Sequence, residues 1–326
     1  MSSPSPNTGS TPIEWIRKNP VDAALVLLTA GIFLFFYSYI NLYGNYREQS
    51  VFKWIWAVCG KPEYDYAHGR FIPAIMAFLV FFHWKDIQKA ERGSDKMGLL
   101  LMVAGIIFYI IAARTIQARI AAGSIPFIAY GFIAWVWGRQ VAKFFIFPLI
   151  LIYFAIPLPG LTQATNGLQL IATKAAYHLS GILGADIVIS GNNIDSATGA
   201  WGENRAFNIA EGCSGIRSLV ALTLIAAVYG HVTQDKLWKK IALLACSIPI
   251  AIIANSLRVT TIVLIAESGH PDFAAKTYHD WSGFLFFPLA LAGLLIVGII
   301  INKGLKGLKP AKAQVTKIHK GEAIEN

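Results

Sequence analysis

Charge is scarce in this chain, and so is sulfur. Only 14% of its 326 residues are charged, against 55% hydrophobic, whereas a soluble domain carries about a quarter charged residues. That shortage excludes an ordinary water-soluble domain. The three cysteines, Cys59, Cys213 and Cys246, make neither a disulfide framework nor a metal cluster, and no Cys-x-x-Cys pair is present for thiol–disulfide exchange. No internal repeat marks a transporter built from two related halves. The first apolar run ends in the aromatic YSYINLY (37–43) instead of a small-residue cleavage site. It is also too long for the apolar region of a signal peptide, and reads as an uncleaved anchor.

What the chain does have is apolar length. Eight runs approach the roughly 20 residues that a membrane-crossing helix needs: 21–43, 69–84, 97–113, 120–137, 144–157, 213–231, 241–266 and 281–301. The second, third and fifth are short, which suits tilted or partly re-entrant segments. The expected fold is all-α, a polytopic helical membrane protein with about eight transmembrane helices. A net charge of +10 raises the question of nucleic acid, and its distribution answers it. With the amino terminus inside, most lysines and arginines fall in cytoplasmic segments, from Arg17 and Lys18 to the tail lysines between Lys303 and Lys320. This is the positive-inside bias. The charge excess is therefore topological, no nucleic-acid partner is implied, and the tail is expected to rest on anionic membrane lipids. The organisation that follows is a disordered cytoplasmic amino terminus (1–20), a transmembrane domain (21–301) and a basic cytoplasmic tail (302–326).

One outer segment, 158–212, is too long for a plain connection and suggests function. Its first half, Gly160 to Leu183, carries apolar residues at helical spacing (Leu161, Ala164, Leu168, Ile171, Ala175, Leu179, Ile182). This predicts a helix lying along the outer membrane surface. Its second half alternates around asparagine and glycine turns and predicts a small hairpin. The loop delivers the chain to NIAEGCSGIRSL (208–219), where a polar stretch becomes apolar.

Charged groups inside spans cost about 2.5–3.5 kcal/mol each on insertion scales, so each needs a reason. Cys213 and Arg217 are four residues apart and share a helix face. Glu211 stands two residues before the thiol. The start of a span, with its unpaired N–H groups, also favours an anion, so both effects favour thiolate. A buried inert cysteine beside an arginine that snorkels to the headgroups fits the same residues. Arg258 lies eight residues before Ala266, roughly 12 Å below the outer end of its span at 1.5 Å per residue. Asn255 shares its face, as in an oriented donor pair. His279 stands at the outer entrance to the last span, in KTYHDWSGFLF (276–286). A thiol, a guanidinium and an imidazole at one membrane depth supply a nucleophile, an oxyanion partner and a proton carrier.

These motifs resemble the exosortase/archaeosortase family of multi-pass membrane transpeptidases. The thiol motif is EGCSGIRSL (211–219), the arginine motif NSLR (255–258) and the histidine motif HDWSG (279–283). DYAHGR (65–70) and IPLP (156–159) are further landmarks. The resemblance runs in order from about residue 20 to 300. It implies a cysteine-type peptidase/transpeptidase with Cys213 as nucleophile, Arg258 polarising the scissile carbonyl and His279 transferring protons. No metal or other cofactor is implied. The implied substrates are secreted proteins with a C-terminal sorting signal: a short motif such as Pro-Glu-Pro, a transmembrane helix, then a basic cluster. They would be held as thioesters and passed to a surface acceptor, a lipid or glycan. The histidine-bearing third motif is closer to the exosortase branch, which implies a bacterial inner (cytoplasmic) membrane with the site on its outer side. Arg217 joins as a thiolate stabiliser, and His68 and Arg70 as further groups at that face. Two rival readings remain. One is a transporter or channel whose intramembrane arginines bind an anion, and the other is a thiol–disulfide protein using Cys59 and Cys213.

Overall fold

A computed structural model describes residues 17–18, 20–43, 49–61, 66–157, 161–191, 193–199, 201, 207–208 and 216–303, with the side chains of 161–166, 207–208 and 216–217 outside that description. The described residues fall into two compact units, divided between Gly167 and Leu168.

In the first unit, α1 (Pro20–Leu34) runs on into a π-helical turn, Phe35–Tyr39. After it come α2 (Val51–Gly60), a 3₁₀ turn (Ala67–Phe71) leading into α3 (Ile72–Phe82), and the short α4 (Trp84–Lys89). Two long helices follow, α5 (Lys96–Thr115) and α6 (Ala118–Trp137). Asp95 caps α5 by accepting the Met97 N–H at 2.9 Å, which satisfies one of the amides that a helix start leaves open. Their crossing is set by missing side chains. A Cβ on Gly131 would lie 2.4 Å from the Met102 nitrogen and 2.6 Å from the Gly98 carbonyl oxygen, and one on Gly98 would meet the Trp135 nitrogen at 2.6 Å. Backbones this close are how apolar helices associate where lipid supplies no hydrophobic drive. The core beside this pair holds Tyr37, Tyr43, Val51, Tyr109, Ile125 and Leu149. The Tyr109 hydroxyl donates to the Phe36 carbonyl at 2.8 Å, satisfying an acceptor that the π turn frees.

The run 144–157, read from sequence as a span, is not one continuous α-helix. After α7 (Arg139–Ala142) the chain passes through a 3₁₀ turn (Lys143–Phe145), α8 (Ile146–Ile150) and a second 3₁₀ turn (Leu151–Ala155). Pro148, with no N–H to donate, lies in the middle of it. The two upstream landmarks meet here. His68 Nε2 lies 3.0 Å from the Phe154 carbonyl oxygen, and the buried Cys59 thiol points to the Ala155 carbonyl at 3.8 Å. The DYAHGR segment thus latches the backbone just ahead of IPLP. Gly69 makes this possible, since a Cβ there would stand 2.5 Å from the Cys59 sulfur and 3.2 Å from the Ala155 backbone.

The helix expected over Gly160–Leu183 is α9 (Leu161–Ile182), and the expected hairpin is β1 (Ile187–Ser190) paired antiparallel with β2 (Asn193–Ser196), with β3 (Phe207–Asn208) added to β2. Gly191 takes φ +62° in the two-residue turn, the left-handed conformation such a connection requires. The second unit continues with α10 (Ile216–Thr233), α11 (Leu237–Glu267), α12 (Pro271–Phe273), a π turn (Ala274–Tyr278) and α13 (His279–Lys303). Leu222, Ala226, Leu243, Ala254, Ala290 and Leu294 form the core of α10, α11 and α13. The buried face of α9 is not its apolar stripe. Gln169, Ala172, Thr173, Ala176 and Ser180 are buried, and the Ser256 hydroxyl on α11 donates to the Ala172 carbonyl at 3.4 Å, while Ile171, Leu179 and Ile182 are exposed. Small residues and short polar side chains such as Thr173, whose hydroxyl donates to the Gln169 carbonyl at 2.9 Å, let α9 approach α11, and the apolar stripe is left for lipid.

Among the described residues, five helices are long and apolar enough to cross a membrane: Pro20–Tyr39, Lys96–Thr115, Ala118–Trp137, Leu237–Glu267 and Pro271–Lys303. Ala67–Phe82 and Ser218–Thr233 are shorter apolar helices, at the positions of two further expected spans. The chain is a helical membrane protein.

The glycine crossing yields a paired prediction. Gly131→Ala forces a Cβ into backbone atoms that cannot swing aside and is expected to cost about 1–3 kcal/mol, read as a lower midpoint of unfolding in mixed micelles. Gly123→Ala on the same helix meets only Tyr153, at 3.8 Å, and is expected to leave the midpoint unchanged or raise it.

Candidate active site

The centre of the second unit is built around Arg258. It lies on α11 with one face towards a narrow cleft lined by Ser218, Leu222, Asn255, Gly283, Phe286 and Phe287, among others. Its guanidinium is half-buried and hydrogen-bonded. Nε donates to Ser282 Oγ at 2.7 Å and Nη2 to the His279 carbonyl at 3.0 Å. Ser282 Oγ in turn donates to that same carbonyl at 2.7 Å. These bonds neutralise part of the cost of a charge inside an apolar bundle. Nη1 has no partner among the described residues.

His279 is positioned by its neighbours as much as by itself. The Tyr278 hydroxyl donates to Thr261 Oγ1 at 2.9 Å, and Thr261 Oγ1 donates to the Arg258 carbonyl at 2.8 Å. Residues 278, 279 and 282 are therefore all tied to the single turn 258–261 of α11. The His279 ring is largely buried, with its Nδ1 3.3 Å from Asp280 Oδ1. An Nδ1–H donated to that carboxylate would set the tautomer of the ring.

The structure thus brings two sequence-selected residues, Arg258 and His279, into one hydrogen-bonded unit. Asn255 is buried one turn from Arg258 on the wall of the same cleft. Glu211 and Cys213 lie outside the described residues, as does the side chain of Arg217, whose backbone is in the first turn of α10. His68 belongs to the first unit, where its ring is engaged with the Phe154 carbonyl. Cys59 is a buried thiol whose Sγ points to the Ala155 carbonyl. Sequence reasoning gave Ser282 no role although it sits in HDWSG. The usable signal was its spacing of three from His279, which places its hydroxyl on the carbonyl that Arg258 also uses. Among the described residues no group of three or more His, Cys, Asp and Glu side chains could hold a metal ion.

Chemically, a guanidinium held by two acceptors is a pre-set hydrogen-bond donor, and it is tied to the backbone of a histidine. That pair suits a reaction in which an oxyanion forms and a leaving group needs a proton. Comparison with known proteins agrees in kind. Residues 56–296 match the family model described as transmembrane exosortase (Exosortase_EpsH), a stretch that includes NSLR, HDWSG and the thiol motif. No curated protein and no solved structure matches the chain.

Ser282→Ala removes one of the two acceptors of Arg258. It is expected to cost about 1.5–3 kcal/mol, the usual worth of a hydrogen bond to a charged group, measured as loss of stability in detergent. Ser282→Thr, which keeps the hydroxyl, is expected to recover most of it.

Proposed function

The chain belongs to the transmembrane exosortase family, a multi-pass membrane family of transpeptidase type. On that premise we propose that it is a cysteine peptidase/transpeptidase that cleaves the C-terminal sorting signal of secreted proteins and transfers them to a surface acceptor. The observation that carries this reading is the hydrogen-bonded union of Arg258 with Ser282 and the His279 carbonyl. It fixes a charge against the backbone that carries the histidine at the entrance to α13.

In this mechanism Cys213 gives its thiol proton to His279 Nε2, and the thiolate attacks the scissile carbonyl carbon. The carbonyl oxygen becomes an oxyanion that accepts hydrogen bonds from the Nη1 protons of Arg258. Its collapse breaks the C–N bond, and His279 delivers a proton from Nε2 to the departing amine, which leaves with the substrate's membrane helix. The acyl group stays on sulfur as a thioester. A lipid or glycan nucleophile then attacks it, gives its proton to His279 and releases the thiolate. Arg217, four residues after Cys213, lowers the thiol's pKa. Asn255 and Glu211 orient the substrate's peptide around the cleft, and His68 holds the backbone ahead of IPLP. A substrate anchored by its own helix is confined to two dimensions beside the bundle, which raises its effective concentration.

The proposed topology has eight crossings with the amino terminus inside. It rests on the charge distribution and on the seven apolar helices at expected positions, with 144–157 as the broken eighth. The catalytic domain is 21–301, and 158–212 is an extracytoplasmic loop, supported by the lipid-ready stripe on α9. The site then faces outward from a bacterial inner membrane, where a juxtamembrane cleavage motif arrives. The loop over it restricts water and favours transfer over hydrolysis.

Co-expression with a secreted protein bearing a motif–helix–basic tail tests this directly. Wild type is expected to shorten the substrate by the mass of its tail and to accumulate an adduct released by hydroxylamine. Cys213→Ala is expected to abolish both at equal expression. Unchanged processing in that variant would remove Cys213 as nucleophile and return the anion-binding reading of Arg258. Arg258→Lys offers a charge without the planar fork and is expected to lower turnover by about 10²–10³-fold, with a smaller effect on substrate capture.

A further inference from the structure

Gly283 closes the HDWSG motif, and the proposed chemistry gives it no task. It is the fifth residue of α13, one turn after His279 on the same helix face, and it directly follows Ser282, which accepts the Nε–H of Arg258. Glycine weakens a helix interior more than any residue except proline. Elsewhere in this chain packing explains such a glycine. A Cβ would stand 2.4 Å from the Met102 nitrogen at Gly131, and 2.4 Å from the Tyr229 ring at Gly298 on α13 itself. A Cβ on Gly283 meets no described atom within 4 Å. Nor does its backbone take the left-handed conformation found at Gly191 and Gly269. Among the described residues, neither packing nor backbone geometry requires a glycine here.

Location supplies the requirement. Gly283 is half-buried in the wall of the cleft that holds Arg258, where Ser218 and Asn255 are the other polar side chains of the lining. Phe286 and Ala290 continue its face of α13 along that wall. Gly31, Gly167 and Gly181, the other described helical glycines with such open surroundings, are exposed and lie outside the cleft. The cleft itself is tight. A free volume of about 20 Å³ leaves room for roughly one water molecule, so no substrate side chain larger than a methyl group enters it.

Resting on the peptidase reading of this cleft, we propose that Gly283 is a substrate-contact position. The main chain flanking the scissile bond lies against it, in the space that a side chain would fill, and so comes within reach of Arg258. A helix without a Cβ at the point of contact lets a second backbone approach closely. Ser218 and Asn255 offer a hydroxyl and an amide to the peptide groups of that segment. Selection here acts on bulk: the substrate residue that faces α13 beside the scissile bond must be small, and the larger side chains of the sorting motif are read outside the cleft.

Substrate capture tests this separately from catalysis. The probe is a secreted protein ending in a Pro-Glu-Pro motif, a transmembrane helix and a basic cluster, co-purified in detergent with full-length Cys213→Ala protein, which lacks the proposed nucleophile. Adding Gly283→Leu to that protein is expected to lower the captured fraction about tenfold. Gly283→Ala is expected to lower it by a smaller factor and to leave the unfolding midpoint unchanged or raised, because alanine is the better helix former; it decides alone if the larger side chain prevents folding. Gly293→Ala, on the same helix with an ordinary 3.7 Å contact to Ile250, is expected to change neither capture nor processing. The assignment is overturned if the parent captures no probe or if neither Gly283 variant weakens capture. A lower midpoint in Gly283→Ala also overturns it, since a segment of the chain itself then fills the space. If wild type fails to process a probe that the Cys213→Ala protein captures, the peptidase reading falls and residue 283 is still judged by capture. If processing is intact and capture is indifferent to residue 283, the assignment falls alone.

Discussion

A guanidinium inside an apolar bundle must have its protons accepted by the protein or it leaves for the headgroups. Arg258 finds its acceptors on another helix: Ser282 Oγ and the His279 carbonyl. The same bonds that make the charge tolerable therefore fix where α13 begins relative to α11. The Tyr278–Thr261 bond adds a third tie on the same turn. The π turn over Ala274–Tyr278 supplies the one extra residue per turn that lets the backbone ahead of His279 reach this register. Stability and site geometry are in this way one requirement, because the backbone that carries His279 and Ser282 cannot shift without stranding the arginine.

A division of labour runs through the packing of both units. At the closest helix approaches the contacting residues are small or have polar groups satisfied locally: Gly98 against Gly131, Ala172 and Ala176 of α9, Ser256 with its bonds to Ala172 and Ile252, while Leu222, Leu243 and Leu294 fill the interior of α10, α11 and α13. The large apolar side chains often point away, as Ile171 and Ile182 do. In water this arrangement would be inverted. In a bilayer it is the economical one, since leucine and isoleucine gain little from burial against protein when lipid is equally apolar.

Apolar length and charge placement made the class of fold readable, because membrane insertion imposes those features on sequence with few alternatives. The loop helix and hairpin were readable from spacing and from Gly191. The orientation of α9 was not, since periodicity reports that two faces differ and cannot say which one the protein covers. The break at 144–157 was hidden because an apolar run containing Pro148 has the same composition whether or not its helix is continuous. At the site, depth in the span singled out Arg258 and position at a span entrance singled out His279. Ser282 stayed hidden because a serine in a glycine-containing motif carries no charge to explain, and its role depends on a partner 24 residues away. Likewise nothing in DYAHGR declares that His68 would hold a backbone carbonyl at residue 154.

The close crossing of α5 and α6 has a temporal meaning. Both helices and the two-residue turn between them, with Ile116 in the left-handed region at φ 55°, lie within residues 96–137. Their contacts are local in sequence, so this pair closes with little loop entropy to overcome. It can form as soon as these residues leave the ribosome, ahead of every element of the second unit. The nascent chain thereby carries a finished hairpin in the membrane while the arginine, the histidine and the serine that fixes them are still to be synthesised.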